Sequence, residues 1–209
     1  MSDDEHLRMV RERFDDRAAT YDESSMHTGL ARAVAAFADL SPVDAVLDVA
    51  TGTGLVLRAI RDRGFGGDVA GVDLSPLMVE EARRHLPDAN LSVGDATRLP
   101  FPGDAFDLVT CVTGLQLFAH PEVAIAEWAR VLRPGGRAIT ATFLSVDRSR
   151  HGGAPQPGLS DHIPFDSVEH LAATVAPAGF TIARTETWRD GDDELLIAEL
   201  RQAEPAPEG

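Results

Sequence analysis

Chemistry is first suggested by Val46 to Gly54 (VLDVATGTG), where an apolar run meets a helical pattern through a glycine-broken turn with a carboxylate, Asp48, just ahead of it. Glycines at such a junction let a ligand approach backbone N–H groups at a helix N-terminus. The dinucleotide fingerprint G-x-G-x-x-G is incomplete: after Gly52 and Gly54 the third glycine position is Leu57, too bulky for the helix packing that glycine allows. Asp48 also places negative charge where a pyrophosphate would need relief, whereas a cationic ligand would be favoured there. A phosphate-free nucleoside with a positive charge suits the stretch better. Asp73, ending GVD, can accept hydrogen bonds from both hydroxyls of a ribose. Gly94, Asp95 and Ala96 end a third strand-like run; Asp95 could accept from the exocyclic amine of an adenine, with Leu74 and Met78 covering its faces.

These acids need elements to hold them, and the hydrophobic periodicity supplies a set. Helices are expected at about 4 to 20 and 28 to 40, then strands and helices alternate. Ala45 to Ala50 reads as a strand, 54 to 63 as a helix, Asp68 to Asp73 as a strand and 76 to 86 as a helix opened by Ser75 and Pro76. Leu91 to Val93, Phe106 to Val112 and Arg137 to Phe143 read as strands, with a helix at 121 to 132 before the last and Pro134, Gly135 and Gly136 as a turn leading into it. This alternation predicts a parallel sheet with helices on both faces, and carboxyl ends of parallel strands are where such sheets bind ligands. After a helix at about 166 to 176, Phe180 to Trp188 and Glu194 to Arg201 read as a hairpin joined through Gly191, which makes the last strand antiparallel.

Composition removes several rival classes. The chain has 209 residues, 44% of them hydrophobic, which fits one globular domain. Its 34 acidic residues against 19 basic ones give a net charge of -15, which argues against nucleic acid and anionic membrane as partners. Every basic residue is arginine. Without lysine there is no Schiff-base nucleophile and no P-loop lysine. Cys111 is a lone cysteine in an apolar run, expected as a buried core residue, and no metal-ligand spacing is present. The charged N-terminus and the lack of a long apolar run predict no signal peptide, no membrane span and a cytoplasmic location.

Taken together, FDDRAATYD (14 to 22), VLDVATGTG, GVDLSPLMVEEAR (71 to 83), GDATRLPFPGDAFDLVTC (94 to 111) and VLRPGG (131 to 136) resemble the class I S-adenosylmethionine-dependent methyltransferases. The pattern is that of the small-molecule branch, the methyltransferase type 11 domain of ubiquinone and menaquinone biosynthesis. The resemblance implies an α/β, Rossmann-like seven-stranded sheet, mostly parallel with an antiparallel last strand. It implies S-adenosyl-L-methionine as cofactor, S-adenosyl-L-homocysteine as product, and a methyl transferred to a small organic acceptor through oxygen, carbon or nitrogen. Asp48, Ala50, Gly52 and Gly54 would surround the methionine part, Asp73 the ribose, and Asp95 with Ala96 the adenine; Thr51, Leu74, Met78, Gly94 and Val112 complete the cofactor-binding candidates. Ala50 departs from the family's usual glycine. The single domain, 1–209, would divide into an N-terminal helical lid (1–42), a cofactor-binding core (43–143), an acceptor-side loop (144–165) and a C-terminal helix and hairpin (166–203).

Phe14, Ala18 and Tyr21 lie at helical spacing and could simply pack on a core; the resemblance instead makes this helix a lid with Tyr21 near the sulfonium or the methionine carboxylate, and Phe14 is an acceptor-lining candidate. Met26, Gln116, Phe118, Phe143 and Phe165 are the other acceptor-lining candidates. No catalytic base has a motif around it, and His27, His151 and His162 are the candidates by position. His120, His85 and His170 read as helix-end or surface residues. A homodimer is left open. Three alternatives stand beside methyl transfer: a cofactor-binding enzyme such as a cyclase, a nicotinamide-dependent oxidoreductase, and a non-catalytic interaction module. Turnover to S-adenosylhomocysteine separates the first from a methyltransferase.

Overall fold

A computed structural model describes residues 2–41, 43–145 and 165–202. The chain begins with helix α1 (Asp3–Arg17), a 3-10 segment (Ala18–Glu23) and helix α2 (Ser25–Phe37). Next come β1 (Ala45–Val49), α3 (Leu55–Asp62), β2 (Asp68–Asp73), α4 (Pro76–His85), β3 (Asn90–Val93), β4 (Phe106–Val112), α5 (Pro121–Val131) and β5 (Leu132–Ser145). Helix α6 (Val168–Val175) and strands β6 (Phe180–Asp190) and β7 (Asp193–Gln202) complete the fold. One sheet holds all seven strands in the order β3-β2-β1-β4-β5-β7-β6. The first five strands pair in parallel, and β7 runs antiparallel to both β5 and β6. The order reverses at β1, with β2 on one side and β4 on the other, so the carboxyl ends of these three strands flank a natural crevice.

Alternation along the buried strands builds two cores. Ala45, Leu47 and Val49 of β1 point to one side, where Trp128 of α5 and Leu171 of α6 pack. Val46 points to the other, against α2, α3 and α4 through Leu30, Val34, Ile60 and Val79. Helices therefore cover both faces, and both faces of the central strands are apolar, as buried parallel strands require.

Local sequence explains most boundaries. Ser24 accepts from the His27 N–H and Ser75 from the Met78 N–H, capping α2 and α4, with Pro76 in the first turn of α4. Hence α2 begins at Ser25, three residues before the sequence pattern suggested. Helix α1 ends at Arg17 rather than at about 20, because the chain tightens into the 3-10 turn that carries Tyr21. Strand β5 starts at Leu132: Pro134 to Gly136 form an irregularity inside it, and pairing jumps from Phe106↔Leu132 to Leu108↔Arg137 with Gly135 at φ 80°. The β6–β7 hairpin closes between paired Asp190 and Asp193, with Gly191 at φ 63° in the first central position. Among the described residues no helix is long and apolar enough to cross a membrane.

Candidate functional site

At the carboxyl end of β1 the chain turns through Ala50, Gly52 and Gly54, all with positive φ (56°, 55° and 80°). Glycine reaches this region freely, but alanine does so only at a cost, so Ala50 stores strain at this turn. Thr113, just beyond β4, also lies there at φ 54°, and for a β-branched residue this is a genuine outlier. Ala50 and Thr113 thus bring two strained segments to one rim. Gly54 has a packing reason as well: a Cβ there would stand 2.8 Å from Leu86 Cδ1 and 3.4 Å from Ala82 Cβ, so glycine lets α3 start hard against α4.

Above the rim lies a cavity of about 190 Å³, lined from the sheet side by Ala50, Gly52, Asp73, Leu74, Met78, Gly94, Asp95, Ala96 and Val112. The opposite wall comes from α1 and its 3-10 extension: Leu7, Val10, Phe14 and Tyr21. A smaller space of about 40 Å³ adjoins it, lined by Asp48, Thr51, His27, Leu30 and Val56. Tyr21, Ala50, Gly52, Val112 and Thr113 border both. Of the cofactor-binding candidates, Gly54 borders neither. Phe118 lines the larger cavity with Phe14, whereas Met26, Phe143 and Phe165 pack into the apolar layers and Gln116 donates to the Thr113 carbonyl at 2.7 Å. His27 stacks on Tyr21 with ring centroids 4.2 Å apart. His151 and His162 lie outside the described residues, as does most of the 144–165 segment.

The three acids differ in setting. Asp48 is 1% exposed and accepts from the Thr110 hydroxyl at 2.6 Å. Burial, against that hydrogen bond, pushes its carboxyl up to about 7. Asp73 accepts from the Gly52 N–H at 2.8 Å and the Ser75 N–H at 2.9 Å, so one carboxylate ties the glycine turn to the start of α4. Burial pushes it up to about 6. Each oxygen keeps a further lone pair for a ligand hydroxyl. Asp95 accepts from the Thr97 N–H at 2.9 Å, an Asx turn that fixes its place on the wall. Tyr21 faces Gly52 across the cavity, and burial pushes its phenol up to about 12, so it remains protonated at neutral pH.

Helix α1 is fastened at both ends. His6 Nε2 donates to the Leu117 carbonyl at 2.8 Å and His120 Nε2 bonds Asp3 at 2.9 Å, an acid that raises the His120 imidazole. At the other end the Ser75 hydroxyl donates to Asp15 at 2.5 Å, and Asp22 receives the Thr53 hydroxyl and the Arg58 guanidinium. Leu7, Val10, Thr97 and Thr113 are wall residues that the sequence reading did not single out. The first two carried a signal, the apolar stripe of α1, but nothing local marks Thr113.

Such a crevice, with strand-end carboxylates on one wall, apolar side chains around them and a helix across the opening, defines an α/β enzyme site suited to a nucleoside without phosphates. The methyltransferase domain family matches residues 47–140. A ubiquinone/menaquinone biosynthesis C-methyltransferase of Bordetella parapertussis is 39% identical over 209 aligned residues, 94% of this chain and 79% of that protein. A demethylmenaquinone methyltransferase of Beutenbergia cavernae is 39% identical over 195 residues, 90% of this chain and 78% of its own. A methyltransferase solved in complex with the Haloferax volcanii Trm112 methyltransferase activator superposes with a TM-score of 0.76 at 26% identity, covering 95% of this chain and 100% of that one. The chain belongs to the class I S-adenosylmethionine-dependent methyltransferases.

Proposed function

We propose that the protein methylates a ring carbon of a small quinol-type acceptor, with S-adenosylmethionine held across the carboxyl ends of β1, β2 and β3. The observation that carries the cofactor placement is the convergence of Asp73 and Asp95 on the 190 Å³ cavity, with Asp48 behind the turn that forms its floor. Names of relatives that span nearly the whole chain support the quinol reading. The residues fit the cofactor: Asp73 has spare lone pairs for ribose hydroxyls, Asp95 can accept from an exocyclic amine, and Leu74, Met78, Ala96 and Phe118 offer apolar surface for a purine. Carboxylates raised by burial gain most from a cation beside them, and Asp48 and Asp73 are both raised.

The bound cofactor supplies an electrophilic methyl group on a cationic sulfur. What remains for the chain is alignment, exclusion of water and disposal of one proton. Alignment at about 3–3.5 Å can supply roughly 7–11 kcal/mol. Helix α1 with Leu7, Val10 and Phe14 covers the cavity and acts as the lid that keeps water out. Tyr21, Ala50 and Thr113, on the partition between the two spaces, hold the acceptor's approach to the cofactor. A quinol ring carbon that gains a methyl must lose its hydrogen as a proton, and His27, stacked on Tyr21, is the candidate base among the described residues.

Labelled S-adenosylmethionine and a short-chain demethylated menaquinol test the reading. The expected result is a label on a ring carbon, with S-adenosylhomocysteine formed in equal amount. Intact S-adenosylhomocysteine binding with no transfer to any quinol would remove quinols as the acceptor.

A further inference from the structure

Helix α1 ends in an arginine whose N–H donors meet no acceptor among the described residues. Arg17 is half-buried, with its guanidinium carbon 5.9 Å from the Phe14 ring centroid and 5.5 Å from that of Tyr21. Other arginines equally sheltered spend their donors: Arg58 on Asp22, Arg61 on the Phe65 and Gly67 carbonyls, Arg133 on Asp107, and Arg137 on the Asp39 carbonyl. Arg17 forms neither an ion pair nor a hydrogen bond with any described residue. A position at a helix C-terminus and contact with aromatic faces both favour a cation there, yet neither uses its five N–H donors. The setting also has a cost, because Arg13 lies one turn earlier, and like charges at i, i+4 destabilise a helix. Burial, and next to it the Arg17 charge one turn on, lowers the Arg13 guanidinium. A sheltered, unspent guanidinium kept next to a second one, on the helix that covers the site, reads as a functional departure from local rules.

We propose that Arg17 recognises an anionic oxygen on the methyl acceptor, so that the enzyme selects acceptors bearing a carboxylate or an ionised ring hydroxyl. This rests on the reading of the protein as a methyltransferase of small ring compounds and names the feature by which it chooses among them. Arg17 is not among the residues lining either space at the site; it packs against Phe14 and Tyr21, which are. A group that reaches Arg17 therefore belongs to a molecule extending past those rings, beyond the cavity that takes the nucleoside. The planar fork of a guanidinium suits a carboxylate better than any other cation in this lysine-free chain. In a protein of net charge -15, such a local contact offsets the repulsion that the overall field exerts on an anionic acceptor.

The test uses matched ring compounds that differ in charge: salicylate against salicylamide, and hydroxynaphthoate against hydroxynaphthamide. Each is titrated into the S-adenosylhomocysteine complex of the wild type, Arg17→Gln and Arg17→Lys. The wild type is expected to favour the anionic member of a pair by ten-fold or more, the size of one charge-assisted hydrogen bond. Arg17→Gln should lose that preference, Arg17→Lys should keep part of it, and all three should bind S-adenosylhomocysteine alike. No anionic preference in the wild type, or a preference that survives Arg17→Gln, overturns the proposal. So does a ten-fold loss of S-adenosylhomocysteine affinity in Arg17→Gln with methylthioadenosine, which lacks the amino-acid tail, unaffected; that result would give Arg17 to the cofactor's own carboxylate. A wild type that binds no S-adenosylhomocysteine would bring down the methyltransferase reading and this proposal with it.

Discussion

Asp48 and Asp73 are held where water cannot fully stabilise their charge, which ties proton binding to cofactor binding. Both are raised, to about 7 and about 6, and burial is the first cause in each case. A carboxyl raised in the folded state stabilises the fold fully below its unfolded value near 4, and this contribution is lost as pH climbs through the folded value. In the ligand-free protein at pH 8 the two acids are therefore ionised at a cost and oppose folding. A cation beside them, or ribose hydroxyls donating to Asp73, favours the ionised form and reverses that effect. The stabilisation conferred by S-adenosylmethionine should therefore be larger at pH 8 than at pH 5.5. Taking the difference between melting temperatures with and without ligand at each pH removes the paired acids that do not touch the ligand, such as Asp107 and Glu199, whose shifts are downward. A ligand-induced shift that is the same at both values, or smaller at pH 8, would place the cofactor's charge away from these acids. The strand-end acids could be found in the sequence because each lies at or next to the end of a strand-like run that precedes a turn or a helix start. Thr113 could not, since a positive φ at a β-branched residue is imposed by the partition it forms with Ala50 and has no local signature.

Elements that were legible are those whose stability is local. Ser75 and Pro76 mark the start of α4, and Gly191 marks the β6–β7 turn, because caps and turns draw on neighbours in sequence. The end of α1 was not legible. Phe14, Ala18 and Tyr21 continue a helical spacing, yet the chain leaves the helix after Arg17 so that Asp22 can reach Thr53 and Arg58 of α3, contacts between residues more than thirty positions apart. The same is true of Asp15, which accepts from the Ser75 hydroxyl and, at 3.3 Å, from the Leu77 N–H. Helix α4 has no acid in its own first turn, so Asp15 brings to its N-terminus the negative charge that the helix dipole favours. Lid and binding wall are joined at that point. Replacing Asp15 with Ala should destabilise the protein by about 1 kcal/mol and speed S-adenosylhomocysteine release several-fold, while Asp15→Asn, still an acceptor, should lie between. Stopped-flow displacement measures the release. A variant that melts lower but releases ligand at the wild-type rate would show that this contact stabilises α4 without closing the lid.

The net charge of -15 acts on the whole molecule, and it predicts two salt effects of opposite sign. Like charges spread over a compact chain repel one another and weaken the fold, and salt shortens the reach of that repulsion from about 30 Å at 0.01 M to about 8 Å at 0.15 M. Exposed pairs such as Arg84 with Glu80 lose strength under the same screening, but pairs of this kind contribute little. Repulsion therefore sets the sign, and the melting temperature of the ligand-free protein should rise by about 2–4 °C between low and physiological salt, roughly 1 kcal/mol for a domain of this size. The same field draws a cation toward the protein. S-adenosylmethionine, whose sulfonium and ammonium outweigh its carboxylate, should associate more slowly as salt is added, by several-fold over that range, with a much smaller change in its dissociation rate. Because stability and association respond oppositely to one variable, a shared artefact of salt on the solvent cannot mimic both. Stopped-flow traces at two ionic strengths and one pH would decide the matter: an association rate that is flat or rising would mean that charge near the opening, where Arg13 and Arg17 sit, outweighs the field of the molecule as a whole.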